Sequence, residues 1–137
     1  MSSIVLDSSV TISWFMSDET TLSSLSILNN IAKTGAIVPT IWQLEISNVL
    51  LMSERRKRIT KEQRYVALYT LNELPINIDQ FTCKHAWEET TELAERYNLS
   101  IYDACYLELS LRLSLSLATF DNNLKSAAKL AGVHLLI

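Results

Sequence analysis

The chain has 137 residues, of which 48% are apolar and 20% are charged, with a formal net charge of -3. This length allows one domain with a full apolar core and is too short for two ordinary domains. The negative charge argues against a protein that coats nucleic acid by bulk electrostatics, although it allows a local basic patch. With only two glycines and two prolines, the chain has too little turn chemistry for an all-β sandwich or barrel.

Neither a signal peptide nor an apolar run of membrane-spanning length is visible in the sequence. We therefore expect a soluble, cytoplasmic protein. Its two cysteines, Cys83 and Cys105, lack the spacing of a metal site or a redox motif. We expect both to be reduced and buried.

The first predicted element is a short strand over residues 4–6 that runs directly into Asp7. Its apolar run is short, branched and continuous, which is typical of a parallel strand covered on both faces. In open α/β sheets, ligands bind at the carboxyl edge of the strands. Asp7 is predicted to lie at that edge.

The rest of the chain alternates between helices and strands. Strands are predicted at 36–38, 75–78, 115–120 and 133–137, and helices at 10–16, 21–34, 42–56, 60–72, 82–97, 101–112 and 121–131. This alternation predicts an α/β fold over 1–137, with a central parallel sheet of about five strands and helices on both faces. The two helices over 42–72 have no strand between them and form a helical hairpin excursion.

Four acidic residues are candidates for a functional site. Asp7 and Asp121 each follow a predicted strand and precede a helix, where aspartate is also a good N-cap residue. Asp103 lies three residues after Ser100, which also fits a capping box. Glu45 shares a helix face with apolar residues, where a carboxylate is costly unless it is paired, bound to a cation or able to reach water.

Together, these acids can meet above one edge of the sheet. Carboxylates in such proximity repel one another and raise each other's pKa values unless a divalent cation neutralises them. Oxygen ligands without histidine or thiolate favour Mg²⁺ or Mn²⁺ over Zn²⁺. Such an ion can activate water and stabilise charge on a phosphate, so the pattern indicates phosphodiester hydrolysis.

The order and spacing of these acids resemble the PIN domain family, and more narrowly the VapC-type toxin ribonucleases of toxin–antitoxin pairs. The resemblance covers nearly the whole chain and rests on four segments: Asp7 after its strand, Glu45 within 42–46, Asp103 within 101–104, and Asp121 within 117–124. It implies a PIN-like three-layer α/β/α fold. It also implies that the four acids cluster around Mg²⁺ or Mn²⁺ and hydrolyse RNA.

The resemblance further assigns supporting residues and partners. Ser8 and Thr119 match small hydroxyl positions that arrange the acids or water. Related proteins form homodimers, and an antitoxin wraps a groove near their active site. We expect part of that antitoxin surface on the 42–72 hairpin, which carries more apolar side chains than one contact with the sheet would cover, namely Leu50, Leu51, Val66, Leu68, Tyr69 and Leu71.

The densest basic cluster lies at the end of the predicted helix over 42–56 and consists of Arg55, Arg56, Lys57 and Arg58, together with Lys61 and Arg64. It could hold RNA phosphates if it borders the metal site, or it could be a solvated helix end. The two histidines, His85 and His134, fall in no ligand or triad pattern, which disfavours a histidine-based ribonuclease mechanism.

Two other functional classes compete with a metal-dependent endoribonuclease. One is a PIN-fold module that binds RNA or a protein without cutting. The other is a phosphotransfer domain, but a receiver requires an early pair of adjacent acids. A phosphatase of the haloacid dehalogenase type requires a second aspartate two residues after the first, where this chain has Ser9. The complete set of four acids favours the nuclease.

Overall fold

The sheet is built around β1 (Ile4–Leu6), a fully buried strand. The structure is a computed structural model that describes residues 3–137. On one side β1 pairs with β2 (Ala36–Val38), which pairs in turn with β3 (Ile76–Ile78); on the other side β1 pairs with β4 (Leu117–Ala118). All three pairings are parallel. The carboxyl ends of the four strands therefore share one edge.

Helices cover both faces of this sheet, which confirms the predicted α/β fold. Within the described residues they are α1 (Ser8–Ser13), α2 (Leu22–Thr34), α3 (Trp42–Arg55), α4 (Lys61–Glu73), α5 (Thr91–Tyr97), α6 (Ile101–Leu113) and α7 (Asn122–Ala131). The hairpin excursion is the pair α3 and α4. None of the helices in residues 3–137 has the length and apolarity to cross a lipid bilayer.

Local capping chemistry sets several helix boundaries where the sequence predicts them. At the start of α4, the Thr60 hydroxyl accepts from the Gln63 N–H at 3.1 Å and the Gln63 side chain accepts from the Thr60 N–H at 2.8 Å. This is the predicted capping box. Gly35 ends α2 with a φ of +81°, and a Cβ there would lie 3.0 Å from the Pro75 carbonyl oxygen. Glycine is therefore favoured at this stop by both conformation and space.

The fourth and fifth predicted strands are shorter than expected. The segment 133–137 forms only an isolated bridge between Leu117 and Leu135, so the described sheet has four strands. The strand predicted at 115–120 is reduced to Leu117–Ala118. It ends there because the N–H groups of Phe120 and Asp121 bond to side-chain hydroxyls instead of a neighbouring strand.

The helix predicted over 82–97 is divided into three pieces. A 3₁₀ turn at Cys83–His85 is followed by a π-helical turn at Ala86–Thr90, and only α5 is α-helical. The Thr91 hydroxyl donates to the Ala86 carbonyl oxygen at 2.6 Å, five residues back, which matches the wider π turn.

Burial confirms that the hairpin has apolar side chains the sheet does not cover, and it corrects one expectation about the cysteines. Of the hairpin residues, Leu50 and Leu71 belong to the core, whereas Val66 and Tyr69 on α4 are 62% and 69% exposed. Cys105 is buried as predicted, but Cys83 is exposed. It lies in the short 3₁₀ turn at the surface, a turn that the predicted continuous helix did not contain.

A buried ionic network ties the edge strand β3 to α6. Arg112 Nη2 donates to Asp79 Oδ2 at 2.7 Å, and Arg112 Nε donates to Glu108 Oε2 at 2.8 Å. The Thr82 hydroxyl also donates to Asp79 Oδ2 at 2.9 Å and accepts from the Thr40 N–H at 3.1 Å. Because Thr40 precedes α3, this network fixes α3 and α6 relative to each other.

The same network determines how Asp79 titrates. Burial disfavours the ionised carboxylate, but the hydrogen bonds from Arg112 and Thr82 outweigh this effect and hold the pKa of Asp79 below its ordinary value. A carboxyl group whose pKa is lowered by folding stabilises the protein above its unfolded pKa and stops doing so as the pH falls.

Replacing the carboxylate, as in Asp79→Asn, should destabilise the protein by about 2 kcal/mol at pH 7, because Arg112 would keep only one of its two buried carboxylate partners. The loss should shrink as the pH falls below about 3.9, the ordinary pKa of an aspartate. Urea unfolding of both proteins at pH 7 and pH 3 measures this difference. The exposed Glu92–Arg96 pair provides a control: Glu92→Gln should change stability little, and an equal loss in both variants would contradict the assignment.

Candidate active site

Asp7 lies at the carboxyl end of the central strand β1 and is only 3% exposed. It occupies the N-cap position of α1, but its side chain makes no capping hydrogen bond. Instead, its Oδ2 accepts from the hydroxyls of Ser9 at 2.6 Å and Thr119 at 2.7 Å. Helix capping therefore does not explain why an aspartate stands here.

The two hydroxyls connect Asp7 to the turn between β4 and α7. Ser9 Oγ accepts from the Phe120 N–H at 3.0 Å, and Thr119 Oγ1 accepts from the Asp121 N–H at 3.0 Å. Each hydroxyl thus donates to Asp7 and accepts from the backbone that leads into α7. The two bridges set the position of Asp121 relative to Asp7.

Ser9 is the hydroxyl residue that sequence reasoning missed. The prediction named Ser8, whose side chain interacts with Tyr106 instead. A serine two residues after an aspartate is well placed for a local side-chain contact, and that spacing could have indicated Ser9. Its second bond, to Phe120, spans 111 positions and carries no local sequence signal.

Glu45 is positioned by the first turn of α3, where it is partly buried. The Tyr106 hydroxyl, from α6, donates a hydrogen bond to its Oε1. Burial, together with the negative charges of Asp7 and Asp103, raises the pKa of Glu45 to about 7 against the lowering effect of the Tyr106 hydrogen bond. Glu45 therefore faces the other acids.

The remaining two acids, Asp103 and Asp121, lie at helix starts. Asp121 caps its helix, but Asp103 does not. The Ser100 hydroxyl accepts from the Asp103 N–H at 3.1 Å, so Ser100 is the cap of α6. Burial raises the pKa of the Asp103 carboxyl, as do the charges of Asp121 and Asp7. Asp121 does cap α7, because its Oδ1 accepts from the Leu124 N–H at 2.9 Å.

The structure brings the four acids into one electrostatic cluster. Burial raises the pKa of Asp7, and the charge of Asp121 adds to this. Glu45 interacts with Asp7 and Asp103, and Asp103 interacts with Asp121 and Asp7. Among the described residues, no lysine, arginine or histidine contributes to these three shifts. The described groups that shift these pKa values therefore include no cationic side chain to compensate the acids.

This donor set fits a hard divalent cation, because it supplies only carboxylate oxygens. Within residues 3–137, however, no three acidic, imidazole or thiol groups are arranged closely enough to enclose a metal ion. In this conformation, no three of the four carboxylates form a closed set of ligands around a single point. Asp7, Glu45, Asp103 and Asp121 are the groups that could hold it.

A fifth acid, Asp79, follows β3 at the same edge of the sheet and was not singled out in the sequence. Unlike the cluster, it is neutralised by Arg112. This pairing explains why Asp79 belongs to the architecture of the edge and not to the site. Of the two aspartates that directly follow strands, Asp79 has an arginine beside it, whereas Asp7 has no cationic side chain from residues 3–137 beside it.

The basic cluster divides into paired and unpaired residues. Arg58 Nη2 lies 3.0 Å from Asp18 Oδ1 and 3.3 Å from Glu19 Oε2. For the neighbouring Arg55, Arg56 and Lys57, the described part of the chain contains no ion pair. These three cations are the better candidates for binding an external anion.

The two histidines make contacts away from the acids, as the sequence pattern indicated. His85 Nδ1 lies 3.3 Å from Glu89 Oε2. His134 Nδ1 lies 3.0 Å from the Ser116 hydroxyl. Neither contact involves a residue of the acidic cluster, so the described part of the site contains no imidazole positioned for acid–base catalysis.

Comparison with known proteins defines the family. A model of the PIN domain matches residues 4–130, and the chain therefore belongs to the PIN domain family. No protein in a curated set matches the sequence.

Solved structures share the fold at low sequence identity. PAE2754 from Pyrobaculum aerophilum superposes with a TM-score of 0.69 and 17% identity, covering 98% of this chain and 84% of that one. The toxin–antitoxin complex from Klebsiella pneumoniae gives 0.65 and 18%, covering 98% of both chains. The sarcin–ricin loop cleaving toxin VapC20 from Mycobacterium tuberculosis gives 0.61 and 15%, covering 91% and 95%. At these identities the similarity establishes the fold alone.

The acidic cluster should make the metal-free protein less stable as the pH rises. Glu45 ionises near pH 7 in the folded state but near 4.3 when unfolded, so its ionisation opposes folding increasingly between these values. In chelator at pH 8, Glu45→Gln should have a free energy of unfolding about 2 kcal/mol higher than that of the wild type. The two proteins should converge at pH 4.

Urea unfolding at several pH values measures this effect, and Glu92→Gln on the exposed pair with Arg96 is the control. A wild type whose stability does not fall between pH 5 and pH 8, or an E45Q variant with the same profile, would show that folding does not raise the pKa of Glu45.

Proposed function

We propose that this protein is a Mg²⁺- or Mn²⁺-dependent endoribonuclease and the toxin of a VapBC-type toxin–antitoxin pair. The observation that carries the proposal is the uncompensated cluster of Asp7, Glu45, Asp103 and Asp121 at the carboxyl edge of a PIN-family sheet. Burying like charges together is costly unless something neutralises them. A divalent cation bound by these carboxylates removes that cost.

A bound metal ion supplies two things to hydrolysis: it makes water a stronger nucleophile and it stabilises negative charge on the phosphate. The chain supplies the arrangement. Ser9 and Thr119 hold the Asp7 carboxylate by its Oδ2, and they also hold the backbone that presents Asp121. Water attacks phosphorus, the bond to the 3′ oxygen breaks, and the products are a 5′-phosphate and a 3′-hydroxyl.

RNA binding is proposed for the basic end of α3. Glu45 and Arg55 lie ten residues apart on this helix, which corresponds to about 15 Å along its axis. This separation lets Arg55, Arg56 and Lys57 contact phosphates of an RNA strand whose scissile bond lies at the acids. Arg58 is a weaker candidate, since it would first have to leave Asp18 and Glu19.

An antitoxin and a second copy of the chain are the proposed protein partners. Support comes from the solved structures of this fold, one of which is a toxin–antitoxin complex. Exposed apolar side chains on α4, including Val66 and Tyr69, offer a surface that a partner can cover. Both belong to the predicted antitoxin surface, from which the buried Leu50 and Leu71 are now excluded.

The competing proposal is a PIN-fold module that binds RNA or a protein without cutting it. The four acids distinguish the two, because a module without catalysis has no use for an uncompensated carboxylate cluster. Cleavage assays separate the proposals directly.

The purified protein should cleave structured RNA in Mg²⁺ or Mn²⁺ and lose this activity in EDTA. Asp7→Asn and Asp103→Asn should each lower the rate at least about 100-fold, because each removes a charged ligand. Product ends are identified by gel mobility and phosphatase treatment. Glu92→Gln, made and purified in parallel, should cleave like the wild type. Equal activity in all preparations indicates a contaminating nuclease, and no cleavage by the wild type on any RNA favours the binding module.

The basic end of α3 should set the salt dependence of RNA binding. In an Asp103→Asn background, which keeps the RNA intact, Arg56→Ala with Lys57→Ala should weaken binding at every salt concentration. The slope of log affinity against log salt should fall by about one for each phosphate that the variant no longer neutralises. Fluorescence anisotropy measures both quantities. Lys33→Ala on α2 is the matched control, and an equal slope in the two variants would remove this segment from the RNA site.

A further inference from the structure

We propose that Tyr106 is a positioning residue of the acidic cluster: its hydroxyl holds the Glu45 carboxylate toward Asp7 and Asp103. The effect of Tyr106 on metal binding rests on the proposed metal-dependent function, whereas its hydrogen bond to Glu45 forms without a metal. Tyr106 is uncharged and so does not balance the charge of the acids. The sequence pattern did not identify Tyr106 as a site residue.

The location of Tyr106 makes it a rigid donor. It is 0% exposed and lies three residues after Asp103 in α6, which puts the two side chains on the same side of the helix. Its hydroxyl crosses to α3 and donates to Glu45 Oε1. The bond therefore connects the two helices that carry Glu45 and Asp103.

A tyrosine at this buried position requires an explanation, because a phenylalanine would fill almost the same volume. A hydroxyl removed from water must find a partner, or burying it destabilises the fold. The polar groups close to it are Glu45, Asp7 and Ser8. The described structure gives it one hydrogen bond to an acid, the bond to Glu45.

Glu45 in turn depends on Tyr106 for its position. A glutamate side chain has several rotatable bonds and loses entropy when it is held in one conformation. Its charged neighbours, Asp7 and Asp103, repel it from the cluster. Among the described residues, the Tyr106 hydroxyl is the one group that donates a hydrogen bond to the Glu45 side chain. Removing it leaves repulsion to turn Glu45 outward.

The first test is structural and needs no metal. Crystal structures of the metal-free wild type and Tyr106→Phe should show Glu45 in one conformation in the former. In the variant, the Glu45 carboxylate should leave this position or occupy several conformations. An unchanged Glu45 in Y106F would overturn the inference, whatever the protein binds.

The second test connects the position of Glu45 to the site. Isothermal titration with Mn²⁺ alone should give an affinity about 10-fold weaker for Y106F than for the wild type, as is typical when a partner of a ligand is removed. Tyr97→Phe, which removes a hydroxyl from a partly buried tyrosine at the end of α5, should bind Mn²⁺ like the wild type. Thermal unfolding of both variants controls for loss of folding.

A double-mutant cycle separates positioning from general stability. If Tyr106 acts through Glu45, then Y106F should weaken Mn²⁺ binding about 10-fold in the wild type but hardly at all in a Glu45→Ala background. Equal effects in both backgrounds would contradict the inference. If the wild type binds no Mn²⁺, the proposed metal-dependent function fails, and the conformation of Glu45 still decides the role of Tyr106.

Discussion

The buried carboxylate of Asp7 is the constraint around which this edge of the fold is arranged. A carboxylate removed from water must be compensated, and the chain compensates it with two hydroxyls, not with a cation. Ser9 and Thr119 both donate to Asp7 Oδ2, and both accept from the backbone after β4. One set of bonds thus ends β4, aligns the start of α7 and leaves the Asp7 carboxyl group without a cationic partner from the described residues at the edge of the sheet.

The same edge contains a contrasting solution to the same problem. Asp79 follows β3 and is neutralised by Arg112, so it stabilises the packing of α6 and the entry to α3. Asp7 follows β1 and is surrounded by other acids. Natural folds depart from local optimisation mainly at functional sites. Asp7 has no cationic partner in the described part of the chain, whereas Asp79 on the same edge is paired with Arg112. We therefore propose that an external cation binds at Asp7.

More of the fold than of the candidate site could be predicted from the sequence. The Thr60–Gln63 capping box and the glycine stop at Gly35 are local signals, and the structure confirms both. Periodicity predicted most of the helices and strands, but the helix over 82–97 is divided and the strand over 133–137 is only a bridge. The length of β4 was not predictable, because its end depends on Ser9, which lies 111 positions from Phe120. The role of the acids as ligands stays a prediction, although the structure gathers them into one cluster.

What the sequence by itself determined is the succession of elements and the presence of four acids at strand ends and helix starts, since hydrophobic periodicity and capping act within a few residues. Only the tertiary structure decided which hydroxyl serves Asp7, which strand-end aspartate receives an arginine, and which tyrosine reaches Glu45. Each of these choices joins residues that are between 33 and 112 positions apart, apart from the Ser9 contact with Asp7. Such contacts exist only after the parallel sheet has brought the ends of its strands to one edge.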